Sequence, residues 1–195
     1  GEVVSLLGRN GMGKSTTIKA LVGALRPTAG GIRFAGEATS RLKTDAIARL
    51  GLAIVPEGRH VFPNLTVREN VRLAIQAREA GRGQGGGWGG VDLLRVWLDR
   101  KAWIDEASGI LAQVRLADKA QAAASSLPHG DQRKLEVALL MALDPKVYLC
   151  DEPTAGMSGD EVPVVLDLIR QLKRRKDIAV LLVEHKMDVV RELAD

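Results

Sequence analysis

Cysteine, aromatic residues and long apolar runs are scarce in this sequence, and each scarcity excludes a class of protein. Cys150 is the only cysteine among 195 residues, which excludes a disulfide framework or a cysteine-based metal cluster and fits a reducing compartment. Aromatic residues make up 3% of the chain and leave little for stacking on bases, so we expect no nucleic-acid partner. No apolar run approaches the roughly 20 residues of a membrane-spanning helix, and no secretory signal opens the chain. Membrane association is therefore expected only through a partner.

Apolar and charged residues are present in ordinary, balanced amounts. Hydrophobic residues account for 46% of the sequence, and 28 basic against 24 acidic residues give a formal net charge of +4. Such a chain can bury a real core, and its length predicts one compact domain with one appended lobe. Composition alone indicates no function.

The most informative segment is the glycine-rich octapeptide GRNGMGKS at residues 8–15. It follows a predicted strand, Glu2 to Leu7, and precedes a predicted helix from Lys14 to about Leu25, which is the context that a phosphate-binding loop requires. Glycines let successive N–H groups turn toward phosphate oxygens, and the helix adds its positive end. We expect Lys14 to reach the β- and γ-phosphates and the Ser15 hydroxyl to bind Mg²⁺. The predicted nucleotide-binding residues are Gly8, Arg9, Asn10, Gly11, Met12, Gly13, Lys14, Ser15 and Thr16.

Two apolar runs in the last third of the chain end in acids. The run Val147 to Cys150 delivers Asp151 and Glu152 at the carboxyl end of a predicted strand, where ligands gather in an open α/β sheet. We expect Asp151 to hold Mg²⁺ through a water, because Mg²⁺ keeps several waters. Glu152 is predicted to orient and polarise the attacking water. The second run, Val180 to Val183, is followed by an acid and then His185, which is predicted to contact the γ-phosphate.

The motifs and their order resemble the nucleotide-binding subunit of an ATP-binding cassette (ABC) transporter, and the resemblance covers nearly the whole chain. Glu57 occupies the place of the family's Q-loop glutamine, Ala155 to Ser158 that of the D-loop, and His185 that of the switch histidine. LPHGDQR occupies the place of the LSGGQ signature. The signature residues, which would contact ATP held by a second subunit, are Leu127, Pro128, His129, Gly130 and Asp131.

The resemblance implies an α/β fold, a P-loop NTPase core with a mainly parallel sheet, a small antiparallel β part and an inserted α-helical lobe. A RecA-like core is expected over residues 1–57 and 144–195, and the lobe with the signature over about 58–143. The implied activity is hydrolysis of ATP coupled to transport, with ATP and Mg²⁺ as cofactors. Catalytic roles are implied for Glu152, His185, Glu57 and Lys14, and metal contacts for Ser15, Asp151 and Glu57.

Two kinds of partner and a location also follow from the resemblance. Family subunits pair head to tail as homo- or heterodimers, and transmembrane permease subunits dock on the helical lobe. The expected location is therefore cytoplasmic, peripheral on the inner (plasma) membrane. The chain is expected to be truncated at both ends, because Gly1 lies almost within the first strand and the family continues past Asp195. The residue that stacks on adenine would then be missing.

Three positions depart from the family pattern. Pro128 stands where the signature has serine and brings neither a hydroxyl nor a backbone N–H. Glu57 still offers an oxygen but loses the amide donor of glutamine and adds a negative charge. Ser158 replaces the D-loop aspartate. Pro128 therefore predicts that ATP on the partner subunit lacks one contact.

Alternatives remain open for the branch of the family to which the chain belongs and for its class of activity. VPEGRHVFPNLTVREN and HGDQRKLEVALLMA are similar to the branch that serves branched-chain amino-acid importers and their urea or short-amide relatives. One alternative is a soluble ABC ATPase of the DNA-repair or translation class. Another is a nucleotide-gated module that hydrolyses ATP weakly, which Pro128 and Ser158 suggest.

Overall fold

The computed structural model describes residues 2–9, 11–55, 61–82, 93–155, 157, 159, 162–184 and 187–193. The chain forms two compact units. The first comprises Gly1–Gly58, Pro145–Ala155 and Val162–Asp195, and the second comprises Arg59–Asp144 and Gly156–Glu161. The second unit is thus inserted between segments of the first.

The first unit contains both strands and helices, whereas the regular elements in the described part of the second unit are helices. The strands are β1 (Glu2–Leu6), β2 (Arg33–Phe34), β3 (Glu37–Ala38), β4 (Leu52–Val55), β5 (Val147–Asp151) and β6 (Ala179–Val183). The helices are α1 (Lys14–Leu21), α2 (Thr44–Leu50), α3 (Val67–Arg82), α4 (Leu93–Gln113), α5 (His129–Leu143), α6 (Val162–Lys173) and α7 (Met187–Leu193). Within the described ranges, none of these helices is both long and apolar enough to cross a bilayer.

A four-stranded parallel sheet with the order β1-β6-β5-β4 forms the centre of the first unit. Its central strands read as continuous apolar runs, as is typical of parallel strands buried on both faces. Cys150 lies buried in β5, and burial raises the pKa of its thiol to about 12, so it packs as a small neutral side chain. A separate antiparallel pair, β2 and β3, follows α1. The predicted α/β class, with a parallel sheet and a small antiparallel part, is confirmed.

The helix after the phosphate-binding motif is shorter than the sequence predicts. It ends at Leu21 rather than near Leu25, because Gly23 has a φ of 75° and continues in a left-handed conformation. A Cβ at Gly23 would lie 2.8 Å from the Cδ1 of Ile47. This close approach lets α1 and α2 share one apolar cluster with the sheet, to which Ile18, Val22, Ile47, Leu52, Leu149 and Val183 contribute.

Several other boundaries differ from the prediction. Helices α2 and α7 were not predicted, since each spans only seven residues, too short for a clear periodic pattern. The sequence predicts a helix from Asp131 to Leu143, and α5 begins two residues earlier, at His129. The sequence also predicts a helix from Glu161 to Lys176, and α6 ends three residues earlier, at Lys173.

The core of the second unit lies among α3, α4 and α5. Its fully buried members include Val67, Val71, Ile75, Leu111 and Leu135. In the sequence, Thr66 followed three residues later by Glu69 predicts a capping box for a helix through about Ala80. The structure confirms the capping box at the start of α3: the Thr66 N–H donates to Glu69 Oε2 at 2.8 Å, and the Glu69 N–H donates to Thr66 Oγ1 at 3.2 Å. Both hydrogen bonds satisfy N–H groups that the helix itself leaves unpaired.

One arginine links the three long helices of this unit. The Arg78 guanidinium on α3 donates to both carboxylate oxygens of Glu106 on α4, at 2.7 and 3.0 Å, and to the Ala142 carbonyl on α5, at 3.0 Å. Hydrogen bonding to Glu106 raises the pKa of Arg78. The planar guanidinium serves this role because its donors match a carboxylate bidentately.

Asn70 holds the segment that leads into α3. Its side chain is 1% exposed and uses both ends of the amide. Nδ2 donates to the carbonyls of Phe62 and Thr66 at 3.0 Å each, and Oδ1 accepts from the Phe62 N–H at 2.8 Å. A single buried amide therefore fixes the backbone from Phe62 to Thr66, the first residue of the capping box.

Asn70→Asp is expected to lower the free energy of unfolding by about 2–4 kcal/mol, because it replaces a donor with a carboxylate oxygen facing carbonyls in a buried site. Chemical denaturation of the chain measures the change. Asn64→Asp is the matched control, since Asn64 is exposed, and we expect it to stay within about 0.5 kcal/mol of the parent. Equal losses in both variants would contradict the role given to Asn70.

Candidate functional site

The phosphate-binding motif forms the connection between β1 and α1. Gly13 is the N-cap of α1 with a φ of 87°, a left-handed conformation that glycine adopts without strain. No side chain caps this helix start. The Thr17 N–H donates to the Gly13 carbonyl at 2.9 Å, and the N–H groups before it have no partner within the helix. The loop thus offers backbone donors and the positive end of α1 to an anion.

Lys14 brings a cation into the same loop. Its side chain is 8% exposed, and Nζ donates to the carbonyls of Gly8 at 2.7 Å and Arg9 at 3.2 Å. These bonds bend the side chain back over the loop. The Ser15 hydroxyl makes no hydrogen bond to any described residue and is available to a ligand.

The carboxyl ends of three strands lie at one level of the sheet. Leu6, the last residue of β1, pairs with Val183 of β6, and Val183 pairs with Asp151 of β5. Two steps between neighbouring strands span about 10 Å. The phosphate loop after β1 and the acids at the end of β5 therefore emerge at the same edge, with β6 between them. Asp151 is buried there, and Glu152 is half-buried.

Glu152 has an unusual backbone conformation. Its φ is 49°, a left-handed value that costs a non-glycine residue about 1–2 kcal/mol. Two hydrogen bonds hold it there: the Glu152 N–H donates to the Val183 carbonyl at 2.9 Å, and the Ala155 N–H donates to the Glu152 carbonyl at 3.0 Å. Strain of this kind concentrates at functional sites, and here it sets the direction in which the Glu152 side chain leaves the strand end.

Glu184 and Thr154 form a buried contact at this edge that sequence reasoning missed. Their relative exposures are 1% and 0%, and Thr154 Oγ1 donates to Glu184 Oε1 at 2.6 Å. The bond joins the segment after β5 to the end of β6, directly before His185. The sequence does show an acid, Glu184, directly after a predicted buried strand. The pattern alone gives this acid no partner and no role.

The signature residues surround the start of α5 in the second unit. Pro128 is the N-cap, with no side-chain cap hydrogen bond. Gln132 Nε2 donates to the Leu127 carbonyl at 2.9 Å, and this hydrogen bond fixes the turn before α5. The other end of the amide, Gln132 Oε1, is buried without a hydrogen-bond partner. His129 is exposed and Gly130 is buried.

Asp131, in the first turn of α5, is buried between two lysines. Lys119 Nζ donates to its Oδ2, and Lys134 Nζ donates to its Oδ1 at 2.8 Å. Burial raises the pKa of the Asp131 carboxyl, but the hydrogen bonds from the two lysines outweigh this effect and hold the pKa below its usual value. The carboxylate is therefore ionised and paired.

Some predicted site residues lie outside the described residues. They are Asn10 of the phosphate loop, Glu57, Ser158 and His185. Their predicted roles stay predictions. Among the described site residues, the first unit brings together the phosphate loop, Asp151 and Glu152.

Comparisons with known proteins identify the family. The family model described as "ABC transporter" matches residues 1–155. Among curated proteins, the chain is 34% identical over 197 residues to the high-affinity branched-chain amino acid transport ATP-binding protein LivG of Escherichia coli K12, covering all of the chain and 75% of LivG. It is 33% identical over 195 residues to BraG of Pseudomonas aeruginosa, a protein of the same description, again with 100% and 75% covered.

A solved structure is similar in fold. It is the dimeric structure of the ATP-binding cassette MJ0796 in a post-hydrolysis state bound to ADP and Pi, with a TM-score of 0.80 over 98% of this chain and 78% of that one, at 24% identity. The family resemblance and the P-loop NTPase fold predicted from the sequence are both confirmed. The chain therefore belongs to the ABC transporter family, as an ATPase subunit homologous to the branched-chain amino acid ATP-binding proteins LivG and BraG.

Proposed function

We propose that this ABC ATPase binds MgATP on Gly8–Thr16, hydrolyses it with Glu152, and thereby powers solute uptake through a membrane permease. The observation that carries the proposal is the register of the parallel sheet, which aligns the end of β1 with Asp151 at the end of β5. Lys14 and the start of α1 supply positive charge on one side of this edge, and the acids supply negative charge on the other. A magnesium triphosphate needs both, because its phosphates are attracted by the positive groups and its metal ion by the acids.

The oxygen donors at this edge fit a magnesium ion. Ser15 offers a hydroxyl with no hydrogen bond to a described residue, and Asp151 offers a carboxylate at the level of the same strand ends. Mg²⁺ prefers such hard oxygen ligands and few carboxylates. Ser15 and Asp151 would hold it, with an oxygen of Glu57 as a further contact. When bound, the ion neutralises charge that develops on the phosphates.

Hydrolysis in this site is a matter of positioning and electrostatics. Lys14 and the loop amides hold the β- and γ-phosphates, while Glu152 accepts a hydrogen bond from the attacking water and aligns it. The left-handed backbone of Glu152 supports this role, because it gives the side chain a defined starting direction. His185, next to the buried Glu184, is proposed to contact the γ-phosphate.

The division of labour follows the domain boundaries proposed from the sequence. Residues 1–57 and 144–195 act as the RecA-like core, and about 58–143 act as the helical lobe that carries the signature. Leu127–Asp131 would close on the ATP held by a second ABC subunit. The lobe would transmit this closure to transmembrane permease subunits, on the cytoplasmic side of the inner (plasma) membrane.

Branched-chain amino acids are the solute class that we propose, because LivG and BraG serve their transport and align over the whole chain. A urea or short-amide importer is the alternative within the branch. Purified permease and chain in liposomes, with a solute receptor, distinguish the two. Leucine-stimulated ATP hydrolysis and uptake support the proposal, and stimulation by urea alone would contradict it.

Glu152→Gln is expected to leave MgATP binding intact and to lower the rate of hydrolysis by two orders of magnitude or more, about 3 kcal/mol of lost barrier lowering. The cause is the loss of the carboxylate that orients water. Phosphate release and equilibrium binding measure the two effects separately. Glu37→Gln, at an exposed acid of β3, is the control with normal turnover. Near-normal turnover in Glu152→Gln would remove the residue from its assigned role.

Lys14→Ala is expected to weaken MgATP binding itself by about tenfold or more, about 1.4 kcal/mol, because the loop loses its buried ammonium group. Titration calorimetry measures the dissociation constant. Lys19→Ala serves as the control, since Lys19 is an exposed lysine of the same helix. Equal affinities in both variants would show that Lys14 does not contact the phosphates.

Pro128→Ser is expected to raise ATPase turnover of the assembled transporter, because serine restores the hydroxyl and the N–H that proline lacks at the N-cap of α5. Pro128→Ala restores the N–H alone and separates the two contributions. Serine also caps α5, which adds about 0.5–2 kcal/mol of stability, so thermal unfolding is measured alongside. Unchanged turnover in Pro128→Ser would show that the proline does not weaken the composite site.

A further inference from the structure

Three charged residues meet at the first turn of α5. Asp131 has one lysine on each carboxylate oxygen, Lys119 on Oδ2 and Lys134 on Oδ1. Lys119 ends the 3-10 turn Ala117–Lys119, and Lys134 lies one turn further along α5. Asp131 is 5% exposed, so its charge is poorly screened by water and depends on these two partners.

A carboxylate at this position presents an electrostatic problem for the proposed function. The start of α5 is where the signature turn would accept a triphosphate from the partner subunit, using the positive end of the helix. Asp131 occupies the fifth place of LPHGD, where the LSGGQ motif has an uncharged glutamine. An uncompensated carboxylate there would repel the triphosphate, and Pro128 adds no donor at the N-cap to offset the repulsion.

We propose that Lys119 and Lys134 are charge-compensating positioning residues, which neutralise and hold the Asp131 carboxylate and so preserve the affinity of the signature turn for the nucleotide of the partner subunit. The inference rests on the proposed function of Leu127–Asp131, and it assigns a role in nucleotide affinity to residues outside the signature.

Lys119 is the residue on which the inference can be tested most cleanly. It lies outside α5 and is 39% exposed, so neutralising it removes no packed side chain from the helix. The backbone around it is held independently: the Arg68 N–H donates to the Ala120 carbonyl and the Val67 N–H to the Ala122 carbonyl, both at 3.0 Å. A loss of function after Lys119 is neutralised would therefore report on charge more than on the position of this segment.

The experiment is a double-mutant cycle in the full-length protein assembled with its permease. K119Q is expected to raise the KM for MgATP at least threefold with kcat changed less than twofold. K119Q should raise the KM less in a D131Q background than in the parent, because no carboxylate remains to be compensated. K119R should retain the parent KM. K101Q is the matched control, since Lys101 is an exposed lysine of α4.

A second readout does not depend on turnover. In an E152Q background, ATP-driven association of the subunits, followed by light scattering, should require at least threefold more ATP when K119Q is added, and the increase should be smaller when D131Q is present as well. Thermal unfolding of each variant identifies those whose only change is a loss of folding stability.

Three results would overturn the inference while leaving the proposed function intact. They are an equal rise in KM from K119Q with and without D131Q, a K119R variant that behaves like K119Q, and a lower melting temperature with unchanged KM. Absence of MgATP hydrolysis in the parent assembly would instead overturn the proposed function, and the inference with it.

Discussion

The parallel pairing of three strands is the constraint on which the rest of the first unit depends. Because Leu6, Val183 and Asp151 lie in register across β1, β6 and β5, a glycine loop and a pair of acids that are far apart in sequence leave the sheet at one edge. A slip of one residue would turn every side chain of a strand to the opposite face. The apolar cluster around Leu149 and Val183 opposes such a slip.

Backbone strain and buried polar contacts refine what the register provides. Glu152 adopts a left-handed conformation, and its N–H donates to the Val183 carbonyl of the neighbouring strand. Thr154 and Glu184 hydrogen-bond where water has little access, and a buried pair of this kind is costly to break. Both features join the ends of β5 and β6, so they stiffen the edge of the sheet at which we propose that the attacking water lies.

In the proposed function, the second unit has a different requirement, which is to present a helix start to an anion. Its first turn carries an acid that would oppose the task, and lysines from two separate segments surround that acid. Pro128 at the N-cap brings neither an N–H nor a hydroxyl, so this turn has fewer donors than a serine-capped helix would have. The electrostatic character of this turn therefore depends on charged side chains more than on a side-chain cap.

The sequence alone determined the family, the phosphate loop and the class of fold, because glycine spacing, a lysine before a serine, and acids after apolar runs are local patterns with a direct physical meaning. It also identified the capping box of α3, whose partners are three residues apart. Only the tertiary structure decided that α1 stops at Leu21, since the close approach of Gly23 to Ile47 involves a helix that has no clear sequence pattern. The pairing of Lys119 with Asp131 and of Thr154 with Glu184 likewise depended on packing, because no periodicity relates residues brought together from separate elements.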